Sequence, residues 1–576
     1  MIPYHSPIVD LYLKGMTDWE GYFTMRLGPD ADVASERETL ETVLETTAQI
    51  CRELEPELRA GWHEAARLVD GEVVYPPAIQ KAYETLAAAG LVSFGVENAY
   101  GGYGLPVWVT NVILQMIARA DAGLMTIVGL QAGVADDLQA YASDELKERY
   151  LPGFSSGELM GAMDLTEPQA GSDLGAIRTR ATETDGEVRL DGEKIFITNG
   201  GAGVHLVLAR DDDTFEESAG TTSGLSLFLC PRVLPDGSAN GLRVVRLEEK
   251  LGIHGSPTAT IAFDSATAFR VGEKGQGFRA MLTLMNNARL GVAAQGVGIA
   301  EAALESAVVY ARQRKQFGVP IGEQPLMKNI IARAITALEG SRALLYRACR
   351  LLDRNRAIEA MLARGEPNEG ERTEWESVFE RNQVRIRLLT PLAKYLATET
   401  SDDITRMAIQ THGGLGFMSE SVPGKLHNDA IITTIYEGTS EIQVSFALKE
   451  VGKGALGVVF DEVRQELAGL VRPELQEHAK RVSKGIDQAL EAAPALASDM
   501  AYALLSAGAL AEIMASVIVS SELLLQADAD PSRFDVAASW VERRMSDVET
   551  RTARIRAGNA TLIERCERMI AQAVPE

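Results

Sequence analysis

The spacing of apolar residues changes twice along this chain, and those changes limit the folds open to it. Through about residue 159 apolar side chains recur every three or four positions, as in "ERETLETVLETTAQICRELEPEL" and "PPAIQKAYETLAAAGLVSFGV". That is the period of helices with one buried face. From Met160 to Phe278 the period becomes two. "EVRLDGEKIFIT", "VHLVLAR", "LSLFLCPR", "LRVVRLEE" and "TATIAFD" are short β-rich runs separated by Gly, Asp, Asn and Pro, the pattern of strands joined by turns. After Phe278 the helical period returns and holds to the end. The expected fold class is α+β, mostly α, in four parts: an N-terminal helical domain (1–159), a small antiparallel β domain (160–278), a helical bundle (279–451) and an additional C-terminal helical domain (452–576). Within these, one long apolar helix is expected from about Pro106 to Gly133, a surface loop at "ARGEPNEGERTEW", and a linker at "VGKGALG".

With 576 residues, 46% hydrophobic and 24% charged, the chain has ample material for more than one core. Its formal net charge of -25 repels nucleic acid and anionic lipid, so neither is expected as a main partner. The four cysteines, Cys51, Cys230, Cys349 and Cys566, form no CxxC pair, and the seven histidines show no ligand spacing. No disulfide framework and no metal site is expected. No apolar run is read as reaching transmembrane length. The opening "MIPYHSPIVDLYLKGM" lacks a basic segment followed by an apolar one, so no signal peptide is expected and the expected location is cytoplasmic.

Several short segments carry chemistry-bearing residues. "MDLTEPQAGSDLGAIRTRA", Met163 to Ala181, offers the Thr166 hydroxyl, while Gly171 and Ser172 allow close backbone approach to a ligand. "KIFITNG" places Phe196 and Thr198 two apart on one strand face. A flat aromatic ligand fits against such a face, although strand packing and turn glycines explain the same letters. "QTHGGLGF" ends a helix at paired glycines; exposed amides there suit a pyrophosphate, and a plain helix stop is the simpler explanation. "ARQRKQFG" reads alone as a solvated helix end. "TTIYEGTSEIQ", Thr433 to Gln443, sets the carboxylate of Glu437 between Tyr436 and Gly438. By itself that is a helix cap or a loop acid. On a helix, Glu441 would share a face with Glu437.

Taken together, "ENAYGGYGLP", "LTEPQAGSD", "KIFITNG", "RKQFG", "QTHGGLGF" and "IYEGTSEIQ" resemble the acyl-CoA dehydrogenase family in order and spacing over roughly residues 30 to 450. The start, the loop "KLGIHGSPTATIAFD" and the long C-terminal extension resemble its larger bacterial branch. The resemblance implies an N-terminal helical domain, a middle β domain and a C-terminal four-helix bundle, with FAD bound between the β domain, the bundle and a second subunit. It places Met163, Leu165, Thr166, Gly171 and Ser172 along the flavin and the thioester. Phe196, where many members have tryptophan, and Thr198 fall on the strand against the flavin ring. Arg314 and Phe317 match residues reaching a neighbouring subunit's FAD. Gln410, Gly413 and Gly414 match the pyrophosphate contact. Thr439 and Glu441, the latter often glutamine in the family, match adenosine-side contacts. Arg289 matches an arginine near the substrate, with Asn286 replacing a more usual acid, and Ser172, Tyr436 and Gly438 shape the acyl site.

The same resemblance makes Glu437 the base. A thioester α-proton is weakly acidic, and its removal needs a carboxylate in a water-poor pocket. The growing enolate needs hydrogen bonds, here implied to come from the Glu437 backbone N–H and a flavin ribityl hydroxyl. The β-hydrogen leaves as hydride to flavin N5, giving a trans-2-enoyl-CoA. An electron-transfer flavoprotein is the implied acceptor and a homodimer, or dimer of dimers, the implied assembly. Three other readings stand beside this one: an acyl-CoA oxidase of the same fold, a flavin-containing DNA-binding relative with a basic C-terminal domain, and a degenerate structural paralogue. From Val451 onward there are 14 basic and 19 acidic side chains, which disfavours the DNA-binding reading; the intact "YEGT" segment disfavours the third.

Overall fold

The computed structural model describes residues 3–497, 499–558 and 561–573, apart from the side chains of 282–284. The last three residues of the expected C-terminal domain lie outside these. The chain divides into two compact units, Leu40–Ala302 with Gly424–Ile432, and Met1–Thr39 with Ala303–Pro423 and Thr433–Glu576.

The first unit combines helices with the β segment. The long apolar stretch expected as one helix is two, α1 (Val107–Ala120) and α2 (Ala122–Tyr141). Asp121 separates them: its extended backbone ends α1, and its carboxylate accepts from Leu124 N at 2.9 Å, capping α2. An acid at an N-cap satisfies an orphan amide and so overrides an unbroken apolar run. The region expected to be all helix also contains a two-stranded hairpin, Arg67–Val69 with Glu72–Val74. Asp70 and Gly71 both take positive φ at its turn, so the "DG" pair was the missed signal.

Seven strands follow: β1 (Gly161–Asp164), β2 (Arg180–Thr184), β3 (Glu187–Thr198), β4 (Val204–Asp211), β5 (Leu225–Pro231), β6 (Leu242–Leu247) and β7 (Thr258–Val271). Their order is β1-β4-β2-β3-β7-β5, with β6 beside β7. β5 also pairs with β4, which closes the sheet on itself. The expectation of an antiparallel domain is corrected: β4 runs parallel to both β1 and β2. Alternation reveals strand faces but not strand direction. Inside the closure Leu190, Ile197, Val207, Phe228, Ile261 and Phe263 form one core. On the outer face Leu206, Leu208, Leu227 and Leu229 pack with Val134 and Leu138 of α2.

Among its described residues the second unit is helical apart from one short hairpin, and its helices include the end of α3 (Gly277–Gln313), α4 (Pro325–Ala363), α5 (Glu369–His412), α6 (Ser440–Gly452), α7 (Ala455–Ala468), α8 (Met500–Ala529) and α9 (Phe534–Ala557). The loop expected from the charge run at 363–375 is shorter than that run. Asn368 and Glu371 form a reciprocal capping box that starts α5 inside it. At the expected linker, α6 passes to α7 through Gly454, whose φ is +93°. Trp540 of α9 lies so close over Gly340 of α4 that any side chain there would collide with its ring.

The expectation that no apolar run reaches transmembrane length also needs correction. α3 and α8 are long and apolar enough by length and composition, though most of each such stretch is buried inside the protein. A helix that is apolar all round suits a bundle core as well as a bilayer.

Candidate functional site

The residues singled out in the sequence fall into two groups, one in each unit. In the first unit the loop after β1 is tied down by a buried ion pair. Lys194 Nζ, on β3, donates to Glu167 Oε1 at 2.9 Å and to the carbonyls of Leu165 and Leu208 at 2.8 Å each. Glu167 also accepts from the backbone N–H groups of Arg178 at 2.7 Å and Thr179 at 2.9 Å. Burial alone would raise the Glu167 carboxyl; the Lys194 charge and these hydrogen bonds hold it below the usual range. Both residues stand inside quoted motifs, yet neither was given a role from sequence. Lys194→Met leaves the buried Glu167 carboxylate without its counter-charge, so the expected cost is about 3–5 kcal/mol. It should appear as faster amide exchange across 165–179 before any global loss of stability.

This anchoring positions the rest of the group. Ile195 N donates to Thr166 O at 2.9 Å, so Thr166 lies beside Phe196. The β3–β7 register shifts between Lys194 and Ile197, and Phe196 takes φ +60° with 61% of its surface exposed. A bulge that turns a large aromatic outward is costly for a phenylalanine and marks a surface meant to be covered. Buried Ile197 separates Phe196 from half-buried Thr198. Asn199, at φ +55°, accepts from the Tyr75 hydroxyl at 2.5 Å and donates to Gly161 O at 3.2 Å, holding the strand end. Met163 and Leu165 have side chains in the core, and the Leu165 carbonyl is taken by Lys194. Gly171 and Ser172 are exposed, and a Cβ at Gly171 would meet nothing within 4 Å. On α3, buried Arg289 donates from Nη1 to Asn286 Oδ1 at 2.8 Å, so these two residues act as a pair.

In the second unit α3 ends in a hairpin rather than a frayed helix. Lys315–Gln316 pairs with Val319–Pro320 across a two-residue turn, Phe317-Gly318, with φ of +54° and +83°. Such turns favour Asn or Asp before glycine. Here phenylalanine takes the left-handed position and is 94% exposed, beside exposed Arg314. Tyr310 of α3 stacks on His412 of α5 with ring centroids 4.3 Å apart, joining the two helix ends. His412 is followed by Gly413 and Gly414, where added Cβ atoms would meet nothing. Gln410, Leu415 and Phe417 are exposed around them. An open glycine pair edged by apolar side chains is a cradle with room for a flat or phosphate-bearing group.

Glu437 sits in the turn before α6. The expectation that it would share a helical face with Glu441 is corrected. Glu437 and Gly438 take φ of +55° and +93°, so the chain is not helical there. The helix begins only after Thr439, whose Oγ1 accepts from Ile442 N at 3.4 Å. Glu441 is exposed in the first turn of α6. Lys394 Nζ donates to Gly438 O at 2.8 Å, and Gln443 Nε2 donates to the carbonyls of Glu437 and Gly438 at 2.9 and 3.0 Å. Two consecutive left-handed residues, the first a glutamate, held by two buried side chains, form a strained turn of the kind that accompanies function. Gln443 closes the quoted stretch, but its reach back to these carbonyls was not legible there.

In the first unit the exposed aromatic on the bulge suits a flat ring; in the second the open glycine cradle suits a phosphate-bearing group and the fixed carboxylate an acid–base step. Comparisons with known proteins agree. Residues 38–158 match the family model for the acyl-CoA dehydrogenase N-terminal domain, 162–266 the middle domain, and 275–365 with 375–452 the C-terminal domain. The chain is 35% identical over 465 residues to 3-methylmercaptopropionyl-CoA dehydrogenase of Ruegeria pomeroyi, covering 77% of this chain and 75% of that protein. Among solved structures, Caenorhabditis elegans ACDH-11 in complex with C11-CoA superposes with a TM-score of 0.79 at 23% identity, over 94% of this chain and 91% of that one. An acyl-CoA dehydrogenase from Bacillus anthracis complexed with FAD gives 0.72 at 22%, over 95% and 91%. These two likenesses concern the fold and extend over the C-terminal helices that lie beyond the matched family models. The chain belongs to the acyl-CoA dehydrogenase family and is an FAD-dependent oxidoreductase of acyl-CoA thioesters.

Proposed function

We propose that the protein converts an acyl-CoA to the trans-2-enoyl-CoA with Glu437 as the base that takes the α-proton. The observation that carries this reading is the clamped left-handed turn that presents the Glu437 carboxylate. Thr166, Phe196 and Thr198 line the ring end of FAD. Gln410, Gly413, Gly414 and Thr439 hold its pyrophosphate and adenosine end, with a weaker contact from Glu441. Bound FAD supplies the acceptor for the β-hydride. The Glu437 carboxylate receives the α-proton, and its backbone N–H donates to the thioester oxygen as negative charge grows there. Ser172, Asn286, Arg289, Tyr436 and Gly438 are the residues assigned to the acyl-CoA. A dye-coupled screen of acyl-CoA esters of varied length and branching tests the activity. No turnover of any ester by FAD-loaded protein would sink it.

The assembly proposed is a homodimer. Phe317 on its strained turn, with Arg314, reaches the FAD of the second subunit, and the C-terminal helices cover the α4 face around Gly340. Phe317→Asp is expected to lower FAD retention about tenfold, on the scale of one lost aromatic contact, and to shift light scattering toward the monomer. A wild-type protein that is monomeric, FAD-loaded and active would refute the dimer. An electron-transfer flavoprotein is the proposed electron acceptor; reoxidation by oxygen at the same rate in stopped flow would favour the oxidase instead.

A further inference from the structure

We infer that Lys394 and Gln443 are positioning residues that set the direction of the Glu437 carboxylate; this rests on the reading of Glu437 as the base. Lys394 lies in the middle of α5 and Gln443 in the first turn of α6, and both are fully buried. Lys394 Nζ and Gln443 Nε2 together place three hydrogen bonds on two successive carbonyls, those of Glu437 and Gly438.

A trans peptide is planar, with its N–H opposite its C=O. Drawing both carbonyls toward Lys394 and Gln443 therefore turns the Gly438 and Thr439 N–H groups the other way. It also fixes ψ of Glu437 and both backbone angles of Gly438. With φ of Glu437 at +55°, little freedom is left in where its side chain starts. A lone glutamate would leave this left-handed conformation readily, at a gain of about 1–3 kcal/mol. Two buried donors oppose that escape, because releasing the turn would leave an ammonium and an amide short of acceptors in the interior.

The role of Gly438 follows. A Cβ there would lie 2.7 Å from Gln443 Nε2, so any side chain at 438 expels one of the clamping groups. Glycine serves this turn through its positive φ and through the space it leaves for Gln443. The clamp acts on geometry: proton transfer needs carboxylate and α-carbon in line, and a displacement of about 1 Å in such an arrangement costs about 10²-fold in rate.

The test uses the FAD-loaded enzyme and an acyl-CoA that bleaches the wild type. Lys394→Met and Gln443→Leu are expected to keep full FAD content and substrate affinity within about twofold, while bleaching at saturating acyl-CoA slows about 10- to 100-fold. Lys394→Arg, which keeps a donor, should recover most of the rate. Gly438→Ala should reproduce the slow bleaching of Gln443→Leu and serves if either clamp variant fails to fold. The proposal is overturned if folded, FAD-loaded clamp variants bleach at the wild-type rate. It is equally overturned if rate, affinity and FAD content fall together, since the two residues would then merely support the fold. Glu437→Gln separates the two ideas. If that variant bleaches normally, the base assignment fails; if it is dead while the clamp variants stay fast, only the positioning role fails.

Discussion

Glu437→Gln is expected to slow flavin bleaching by an accepted acyl-CoA about 10²- to 10⁴-fold while leaving FAD content and folding intact. Glutamine nearly matches glutamate in size but cannot take a proton from carbon. The groups that hold the turn bond to the backbone carbonyls of residues 437 and 438, which the exchange leaves in place. The exchanged side chain should therefore start from the same place and point the same way. Substrate should still bind, so the loss should appear in the chemical step and not in affinity. Glu441 supplies the control. It is exposed in the first turn of α6, past the Thr439 cap, and Glu441→Gln should leave bleaching fast with at most weaker FAD retention. Fast bleaching by the Glu437 variant, or a dead Glu441 variant beside a live Glu437 one, would reverse the assignment.

The long-range order of this protein was legible because each domain type imposes its own period on the chain. Helical and strand periods change near Met160 and Phe278, and the closed sheet runs from Gly161 to Val271, while two short hairpins at 67–74 and 315–320 fall within stretches read as helical. What periodicity does not encode was misread. Strand direction depends on the order of connections, so the parallel pairing of β4 was missed. The break at Asp121 rests on one capping acid within a continuous apolar run. Of the site, the residues in glycine-marked or otherwise unusual segments stood out: Phe196, Gly413, Gly414 and Glu437. Their supports did not. Lys194, Lys394 and Gln443 are polar residues in regular helices and strands, and only the tertiary fold shows that each ends on a carbonyl or a carboxylate of a candidate segment. Lys394 lies 44 positions before the carbonyl it holds.

Arg347→Met should destabilise the helical unit by about 3–5 kcal/mol, the range for breaking a buried ion pair from one side. Arg347, on α4, is nearly buried and reaches three carboxylates: Glu466 at 2.8 Å, Glu462 at 3.2 Å and Glu522 at 3.4 Å. Glu462 also pairs with Arg385 of α5. Glu522, on α8, also takes Arg350 at 2.6 Å and accepts from the Tyr12 hydroxyl at 2.7 Å. Three arginines and three glutamates thus join α4, α5, α7, α8 and the N-terminal segment in one balanced network. Removing Arg347 leaves an excess of negative charge around Glu522, which is fully buried, with Glu462 and Glu466 only partly exposed beside it. The exposed pair Arg372–Glu376 provides the contrast: Arg372→Ala should cost no more than about 1 kcal/mol. Urea unfolding of the FAD-loaded proteins reads both. The network also sets an acid limit. Burial alone would raise the Glu466 carboxyl, but the Arg347 charge and hydrogen bonds from Arg347 and Ser521 bring it below the usual range. A carboxyl lowered on folding stabilises the fold at pH above its unfolded value, about 4.3, and loses that contribution as pH falls through the folded value. The wild type should therefore lose stability steadily below about pH 5. Glu466→Gln should start less stable at pH 7 and show a shallower acid slope. An unchanged slope in that variant, or an Arg347→Met protein as stable as Arg372→Ala, would show that the network does not hold these helices together.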